Sequence, residues 1–370
     1  MAVDGLIQPT QDVAARLLRH YRKHARTLPW RSAPGAPLRS HDSTWPYRVW
    51  LSEIMLQQTT VAAVIPYFET FTARWPTVEA LANANDGDLM AAWAGLGYYA
   101  RARNLLACAR VVAGEHKGRF PDTEEGLRAL PGIGAYTAAA VTAIAFGKRA
   151  VVMDGNVERV VSRLFAVEDA LPGARAALRE LADGITPDDD AGDFAQAMMD
   201  LGATICTPRN PACAICPLME TCQARPQGDP ARFPVKAAKK VRPERKGTAW
   251  WIEAEGRVWL VRRPDKGLLG GRMALPTGDW AEGADGSAPP MSGRWEPKGV
   301  VRHIFTHFAL ELSVEALVLP ARPDAAALAS AVGNGQWWRV DEIDQAGLPT
   351  LFARAAMRVV ATETVERSAV

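Results

Sequence analysis

The chain has 370 residues, enough for two or three domains that each bury a core. Hydrophobic residues make up 48% and charged residues 23%, the balance of an ordinary globular protein. No apolar run reaches the roughly 18–20 residues that cross a bilayer, and no basic segment followed by an apolar one opens the chain. We therefore expect a cytoplasmic protein that does not associate with membranes. The net charge of +2 indicates no particular partner.

Up to about residue 224, apolar residues recur at helical spacing. Helices are predicted in LSEIMLQQ (51–58), MAAWAGLGYYARARNLLACARVVA (90–113), YTAAAVTAIAF (136–146) and VERVVSRLFAV (157–167). Cys108, inside the second segment, is predicted to be a small core residue. Residues 10–224 are therefore predicted to form an all-α domain.

Two glycines separate helical stretches in LPGIG, residues 130–134. Gly132 and Gly134 permit a tight turn that leaves backbone N–H groups pointing outward at the start of the next helix. Twenty residues after Gly134, Asp154 opens the segment DGNVERVVSRL. Taken alone, the glycines also fit an ordinary helix–helix turn, and Asp154 also fits a helix N-cap.

Four of the five cysteines fall within seventeen residues, at Cys206, Cys213, Cys216 and Cys222. Such crowding in a cytoplasmic chain predicts metal binding rather than disulfides. Four thiolates suit either a tetrahedral zinc ion or a [4Fe–4S] cluster. Zinc ribbons usually pair two C-x2-C knuckles across a longer gap, whereas this spacing is C-x6-C-x2-C-x5-C.

Residues 225–246 have the composition of an exposed linker, with eight basic residues, two acidic residues and four prolines. Such a segment can lie along phosphates or serve as a solvated tether. After it, strands are predicted in WWIEA (250–254), RVWLVRR (257–263), HFALELSVEALVL (307–319) and QWWRV (336–340). The first two flank Glu255-Gly256 as a hairpin. Residues 247–362 are predicted to form a smaller α+β domain.

The cysteine spacing resembles the iron–sulfur loop of the endonuclease III family of DNA glycosylases. Together with LPGIG and the spaced aspartate, it resembles the helix-hairpin-helix glycosylases. The resemblance implies a [4Fe–4S] cluster on the four cysteines. It also implies a hairpin at Gly132 and Gly134 that holds DNA phosphate without reading sequence, and an Asp154 that faces the target sugar.

Five further segments resemble MutY-type adenine DNA glycosylases: LPWR (28–31), SEIMLQQT (52–59), GLGYYARARNL (95–105), MDGNV (153–157) and QAMMDLGATICTPRNPAC (196–213). The resemblance covers nearly the whole chain. It implies a monomer that excises adenine mispaired with 8-oxoguanine or guanine in double-stranded DNA. In bifunctional relatives a lysine follows the hairpin and attacks the sugar, and here that position is Tyr136, which cannot form an imine.

By the same resemblance, Glu53 is the general acid and Asp154 stabilises the sugar cation, while Asn156 and Tyr136 orient them. A glutamate on an amphipathic helix would otherwise be taken as solvated. The implied adenine pocket consists of Trp30, Arg31, Leu56 and Gln196. The residues implied beside the opposite base are Gln58, Leu96 and Tyr98. A core role is the alternative for Trp30 and Leu96.

The segments KGLLGGRMALPTG (266–278) and RHIFTHFALEL (302–312) resemble the MutT-like domain of the same family. Residues 278–294 lack the glutamate-rich motif that holds magnesium in Nudix hydrolases, so we expect binding rather than hydrolysis. The 8-oxoguanine loop would be Phe305-Thr306-His307, where the family usually has Phe-Ser-His. Threonine keeps the hydroxyl and adds a methyl group.

Three alternatives compete with this interpretation. An endonuclease III-type glycosylase and lyase for oxidised pyrimidines is opposed by Tyr136 and by the second domain. A non-enzymatic iron–sulfur DNA-binding module is opposed by Glu53 and Asp154. A Nudix pyrophosphohydrolase lacks its metal-binding helix.

Overall fold

The computed structural model describes residues 7–39, 42, 44–237, 242–264, 267–282, 288–305 and 307–368, with backbone alone at 7–11 and 362–368. The chain divides into two compact units, Met1–Ala238 and Lys239–Val370. Among the residues described, no helix has both the length and the apolar character needed to cross a membrane.

The first unit is all-α, as its periodicity predicts. Its helices are α1 (Ile7–His24), α2 (Thr44–Leu56), α3 (Val61–Arg74), α4 (Val78–Ala82), α5 (Asp86–Ala92), α6 (Ala100–Gly114), α7 (Glu124–Arg128), α8 (Ala135–Phe146), α9 (Gly155–Leu164), α10 (Arg175–Ile185) and α11 (Ala191–Thr204). Cys108 is fully buried, in agreement with its predicted core role.

Helix α8 occupies the centre of this unit and packs against α2 and α11. Its sequence AYTAAAVTAIAF is buried from Thr137 to Ala145. Small side chains allow neighbouring helices to approach closely, because little volume separates the backbones. Two buried clusters result, one around α2, α3, α6 and α8 and the other around α1, α9, α10 and α11.

The hairpin before α8 depends on one glycine. Gly132 has φ +75, and a Cβ there would lie 2.6 Å from the Asn104 side chain. Gly134 has φ −91 and only open space around a Cβ, so its role is not conformational. The predicted turn therefore requires Gly132, whereas Gly134 leaves the start of α8 uncrowded.

Two predicted segments differ from the structure. The predicted helix at 90–113 is interrupted at residues 93–99, where Gly95 and Gly97 have φ +101 and +71. The predicted linker begins too early, because Phe233 is buried and Leu171 forms a bridge with Lys236. It also ends too late, because the first strand starts at Glu244. We propose that the connection lies after Ala237.

In the part of the second unit that the structure describes, seven strands form one sheet that packs with helices. Its elements are β1 (Glu244–Ala254), β2 (Arg257–Arg262), β3 (Met273–Ala274), β4 (Ala281–Glu282), β5 (Glu296–Ile304), β6 (Ala309–Leu319), α12 (Ala325–Val332), β7 (Gly335–Arg339) and α13 (Thr350–Ser368). The main order is β3-β2-β1-β6-β5, with β4 on β1 and β7 on β2. Strands β1 and β6 are parallel and the other pairs antiparallel.

The predicted hairpin at Glu255-Gly256 is present, and both residues have positive φ, 52 and 69. Such values suit the tight turns that join antiparallel strands. Helix α13 covers a buried cluster on the sheet, and α12 contributes Leu328 to a separate tryptophan-rich cluster. The predicted fold class, an all-α domain followed by an α+β domain, is confirmed.

Candidate active site

A cavity of about 530 Å³ opens in the helical unit. This size lies within the range of small-molecule sites and can accommodate a purine. Nine of the predicted site residues line it: Trp30, Arg31, Glu53, Leu56, Gln58, Tyr136, Asp154, Asn156 and Gln196. These residues come from five separate parts of the sequence, and the fold brings them to one place.

Glu53 is the buried carboxyl group of this cavity, 5% exposed on α2. The pKa of Glu53 is raised from 4.5 to about 7, mainly by burial and in addition by the negative charge of Asp154. The hydrogen bond from Tyr136 and the charge of Arg31 act in the opposite direction. A carboxyl group in this condition can hold a proton at neutral pH and release it, as a general acid must.

Tyr136 is the second residue of α8, so the hairpin fixes where its side chain begins. Its Oη donates a hydrogen bond to Oε2 of Glu53 at 2.7 Å and lies 3.5 Å from Sδ of Met199. Burial raises the pKa of Tyr136 well above its usual value, and the charge of Glu53 adds to this shift. The phenol therefore remains a neutral donor that orients the acid.

Asp154 is the N-cap of α9, and it also faces the cavity. Its Oδ1 accepts from the backbone N–H of Val157 at 2.7 Å, and its Oδ2 accepts from Nδ2 of Asn156 at 3.0 Å. The sequence left open a choice between capping and a role at the sugar. The cap fixes the carboxylate in place, so the two roles are compatible.

Two arginines that line the cavity, Arg26 and Arg31, both bind the carboxylate of Asp200. Arg31 donates to Asp200 in bidentate fashion, at 2.8 and 2.9 Å, and Nε of Arg26 donates to the same group at 2.7 Å. Burial raises the pKa of Asp200, but the bonds and charges of the two arginines outweigh this effect, and the pKa lies below its usual value. Neither Arg26 nor Asp200 was predicted as a site residue. Asp200 lies within the segment 196–213 that resembles the family, whereas Arg26 precedes the segment LPWR at 28–31.

The opposite-base residues divide into two groups. Tyr98 is 61% exposed, and it shares a left-handed backbone conformation with Gln58, with φ 49 and 59. Leu96 is 6% exposed and belongs to the buried core. This position agrees with the alternative given for Leu96, which is a role in the hydrophobic core. Trp30, 4% exposed, packs edge-to-face on Phe68 and still borders the cavity.

The four clustered cysteines form no disulfide and line one small cavity. Within the described part of the chain, no three His, Cys, Asp or Glu side chains converge on a site for a single metal ion. An all-thiolate donor set of four cysteines suits an iron–sulfur cluster. Arg163 supports the loop through bonds to Sγ of Cys206 at 3.4 Å and to the carbonyl of Thr207 at 2.7 Å.

Arg159 connects this loop with the cavity. Its Nη2 donates to Oδ1 of Asn156 at 2.8 Å, and its Nε donates to the carbonyl oxygen of Cys206 at 2.8 Å. Since Asn156 in turn donates to Asp154, the position of the cysteine loop bears on the orientation of that carboxylate. Nothing in the sequence distinguishes Arg159, because an arginine on an amphipathic helix carries no signal of its own.

In the second unit, Phe305 and His307 follow the end of β5. Phe305 packs on Trp280 with ring centroids 5.7 Å apart, and its N–H bonds to the carbonyl of Phe308 at 2.9 Å. His307 is exposed. Thr306 lies outside the described residues.

A helical hairpin unit with a buried acid, a capped aspartate and a cysteine loop is the architecture of a base-excision DNA glycosylase. Residues 51–187 match the family model described as HhH-GPD superfamily base excision DNA repair protein. Residues 206–222 match the iron–sulfur binding domain of endonuclease III, and residues 247–357 match a NUDIX domain. The chain therefore binds DNA and carries a [4Fe–4S] cluster, both as predicted.

Comparison with complete relatives identifies the family within this superfamily. The adenine DNA glycosylase of Mus musculus is 34% identical over 94% of this chain and 78% of its own length. That of Mycolicibacterium smegmatis is 42% identical over 58% of this chain and 70% of its own length. A thermostable thymine-DNA glycosylase of known structure, 30% identical, superposes on 60% of this chain and 98% of its own, with a TM-score of 0.53. The chain belongs to the adenine DNA glycosylase family.

Proposed function

We propose that this protein removes adenine mispaired with 8-oxoguanine or guanine by hydrolysing the bond between base and sugar. The observation that carries the proposal is the pairing of Glu53, with a pKa of about 7, and Asp154 in one cavity that can accommodate a purine. Two carboxyl groups with different protonation states are the requirement for acid-assisted cleavage of a glycosidic bond.

The target adenine must leave the helix before it can reach this cavity. Extrusion costs a few kcal/mol and costs less for a mispair than for a normal pair. Inside, the buried guanidinium of Arg31 is held by Asp200 and offers fixed N–H donors to the ring nitrogens. Trp30 and Leu56 supply apolar walls, and Gln196 keeps its side-chain oxygen available because its Nε2 donates to Gly192.

Glu53 then protonates the base at N7, which makes adenine a better leaving group. Tyr136 donates to Oε2, so the acidic proton of a neutral Glu53 resides on Oε1. Asp154 presents its negative charge to the sugar as positive charge develops there. Asn156 holds that carboxylate, and Arg159 holds Asn156.

Because Tyr136 replaces the nucleophilic lysine of bifunctional enzymes, we expect no efficient strand cleavage. The hairpin at Gly132 contributes phosphate contacts, since no side chain caps the start of α8 and helix N-termini attract anions. We assign the cluster to Cys206, Cys213, Cys216 and Cys222. When bound, the cluster keeps residues 206–222 folded beside α9.

The second unit is proposed to recognise the opposite base. Phe305, Thr306 and His307 would contact 8-oxoguanine, with Phe305 supported by Trp280. Gln58 and Tyr98 of the first unit would fill the gap beside the opposite base. We also propose that the protein acts as a monomer, because one chain supplies every residue assigned to the chemistry. A reducing compartment such as the cytoplasm is proposed because clustered cysteines bind metal there rather than form disulfides.

Three duplexes test the proposal under single-turnover conditions: adenine opposite 8-oxoguanine, adenine opposite guanine, and thymine glycol opposite adenine. We expect base release from the first two and none from the third. Release of thymine glycol with strand cleavage, without adenine release, would instead support an endonuclease III-type enzyme.

A further inference from the structure

One buried guanidinium joins three segments of the candidate active site. Arg101, the second residue of α6, is 9% exposed. Its Nη1 donates to the carbonyl oxygens of Ile54 at 3.0 Å and Met55 at 2.9 Å. These are the two residues that follow Glu53 in α2, so Arg101 holds the end of the helix that carries the acid.

The second terminal nitrogen of Arg101, Nη2, holds the two segments that carry Gln58 and Tyr98. Nη2 of Arg101 donates to Oγ1 of Thr59 at 3.2 Å, and Thr59 directly follows Gln58. It also donates to the carbonyl oxygens of the two residues before Tyr98, at 3.0 and 3.3 Å. The guanidinium carbon lies 5.6 Å from the centre of the Tyr98 ring.

The segments held in this way have unfavourable backbone conformations. Gln58 and Tyr98 both lie in the left-handed region, with φ 59 and 49. Residues other than glycine adopt this region rarely and at an energetic cost, so surrounding contacts must maintain it. Nε1 of Trp93 contributes one more bond to Gly97, at 3.0 Å.

A guanidinium suits this position for two reasons. The last carbonyl groups of a helix have no partner inside the helix and carry the negative end of its dipole, so a cation there is favourable. The group is also planar and rigid, and its two terminal nitrogens point to different segments. A displacement of the Gln58 and Tyr98 segments therefore reaches α2 through one rigid connection.

We propose that Arg101 is a positioning residue that couples contact with the opposite base, at Gln58 and Tyr98, to the placement of Glu53. This inference rests on the proposed function, from which it takes the roles of those three residues. It explains how excision of adenine on one strand depends on the base of the other strand: correct insertion beside that base sets the end of α2, and with it the acid.

A double-mutant cycle tests this coupling. Arg101→Lys keeps the positive charge, but a single ammonium cannot reach both sets of carbonyls. Tyr98→Ala removes the inserted side chain. Single-turnover rates on adenine opposite guanine are measured for the wild type, each variant and the double variant, after iron content and circular dichroism establish that each is folded.

We expect Tyr98→Ala to slow excision in the wild-type background by about fivefold more than in the Arg101→Lys background, within the range for coupled residues. Arg110→Lys is the matched control, because Arg110 lies on the same helix but pairs with the exposed Asp86 at 2.7 Å. In that background the effect of Tyr98→Ala should be unchanged.

Equal effects of Tyr98→Ala in the Arg101→Lys and wild-type backgrounds would overturn the inference and reduce Arg101 to a structural residue. If Arg101→Lys lowers the folded fraction, Thr59→Val takes its place. It removes one Nη2 acceptor, together with the bond from Oγ1 of Thr59 to the carbonyl oxygen of Gln57 at 3.3 Å, and it leaves both Nη1 bonds to α2. A smaller effect of Tyr98→Ala in the Thr59→Val background than in the wild type then supports the inference, and an equal effect overturns it. Wild-type release of adenine tests the proposed function separately, since it does not depend on this cycle.

Discussion

Replacing Glu53 by glutamine removes a proton donor and changes little else. Glutamine keeps the shape of the side chain and an oxygen for the hydrogen bond from Tyr136. With a pKa of about 7, Glu53 is protonated in about half of the molecules at pH 7. At the ordinary pKa of 4.5 the protonated fraction would be about 0.3%, so burial raises the competent population by a factor of about 150.

Glu53→Gln should therefore bind the mispair like the wild type and excise adenine about 1000-fold more slowly. This lies within the range of roughly 10²–10⁴ for loss of a general acid. Single-turnover base release, measured beside binding to the same duplex, separates the two effects. Excision within tenfold of the wild type would refute the role of Glu53. In the wild type the rate should fall as pH rises above about 7, because the acid is then ionised.

The same pKa predicts an effect on stability. The folded pKa, about 7, lies above the unfolded value of 4.5, so the stability associated with neutral Glu53 is complete below pH 4.5. It is lost as pH rises through 7, at a cost of about 3 kcal/mol. At pH 4.5 the free energy of unfolding of Glu53→Gln should equal that of the wild type. At pH 8 it should exceed the wild-type value by up to about 3 kcal/mol. Equal stabilities at pH 8 would argue against a buried ionised glutamate.

The remaining predictions concern Tyr136, the cluster and the second unit. Tyr136→Phe removes the hydrogen bond that lowers the pKa of Glu53, so the fall of rate with pH should move to higher pH; an unmoved profile would contradict this. Metal analysis should give about four irons per chain, whereas one zinc and no iron would contradict a cluster. Deleting residues 239–370 should lower excision opposite 8-oxoguanine more than excision opposite guanine, and an equal loss on both duplexes would leave the second unit a merely stabilising role.

The sequence predicts the parts of this site that local patterns encode. The roles of Glu53 and Asp154 follow from the resemblance of their motifs to a known family, and the strands of the second unit follow from the alternation of apolar residues. The sequence does not predict residues that act through contacts distant in the chain. Arg101, Arg159 and Asp200 look like ordinary helical charges until the fold brings their partners together.

Two errors have related causes. The apolar pattern continues through residues 93–99, so periodicity alone missed the break that the glycine conformations make there. The prolines and basic residues after residue 225 indicated a linker, yet Phe233 is buried and Nε of Arg163 bonds to its carbonyl at 3.0 Å. Composition describes the average of a segment and overlooks a single buried anchor.

Analysis of the reaction products tests the central claim most directly. A duplex with adenine opposite 8-oxoguanine is incubated with the protein, and the released base is identified by mass spectrometry while the DNA strand is examined before and after alkali. We predict free adenine, an intact strand with an abasic site that breaks only in alkali, and no covalent adduct after borohydride treatment. An intact adenine, or a strand broken without alkali and trapped on the protein by borohydride, would contradict the account.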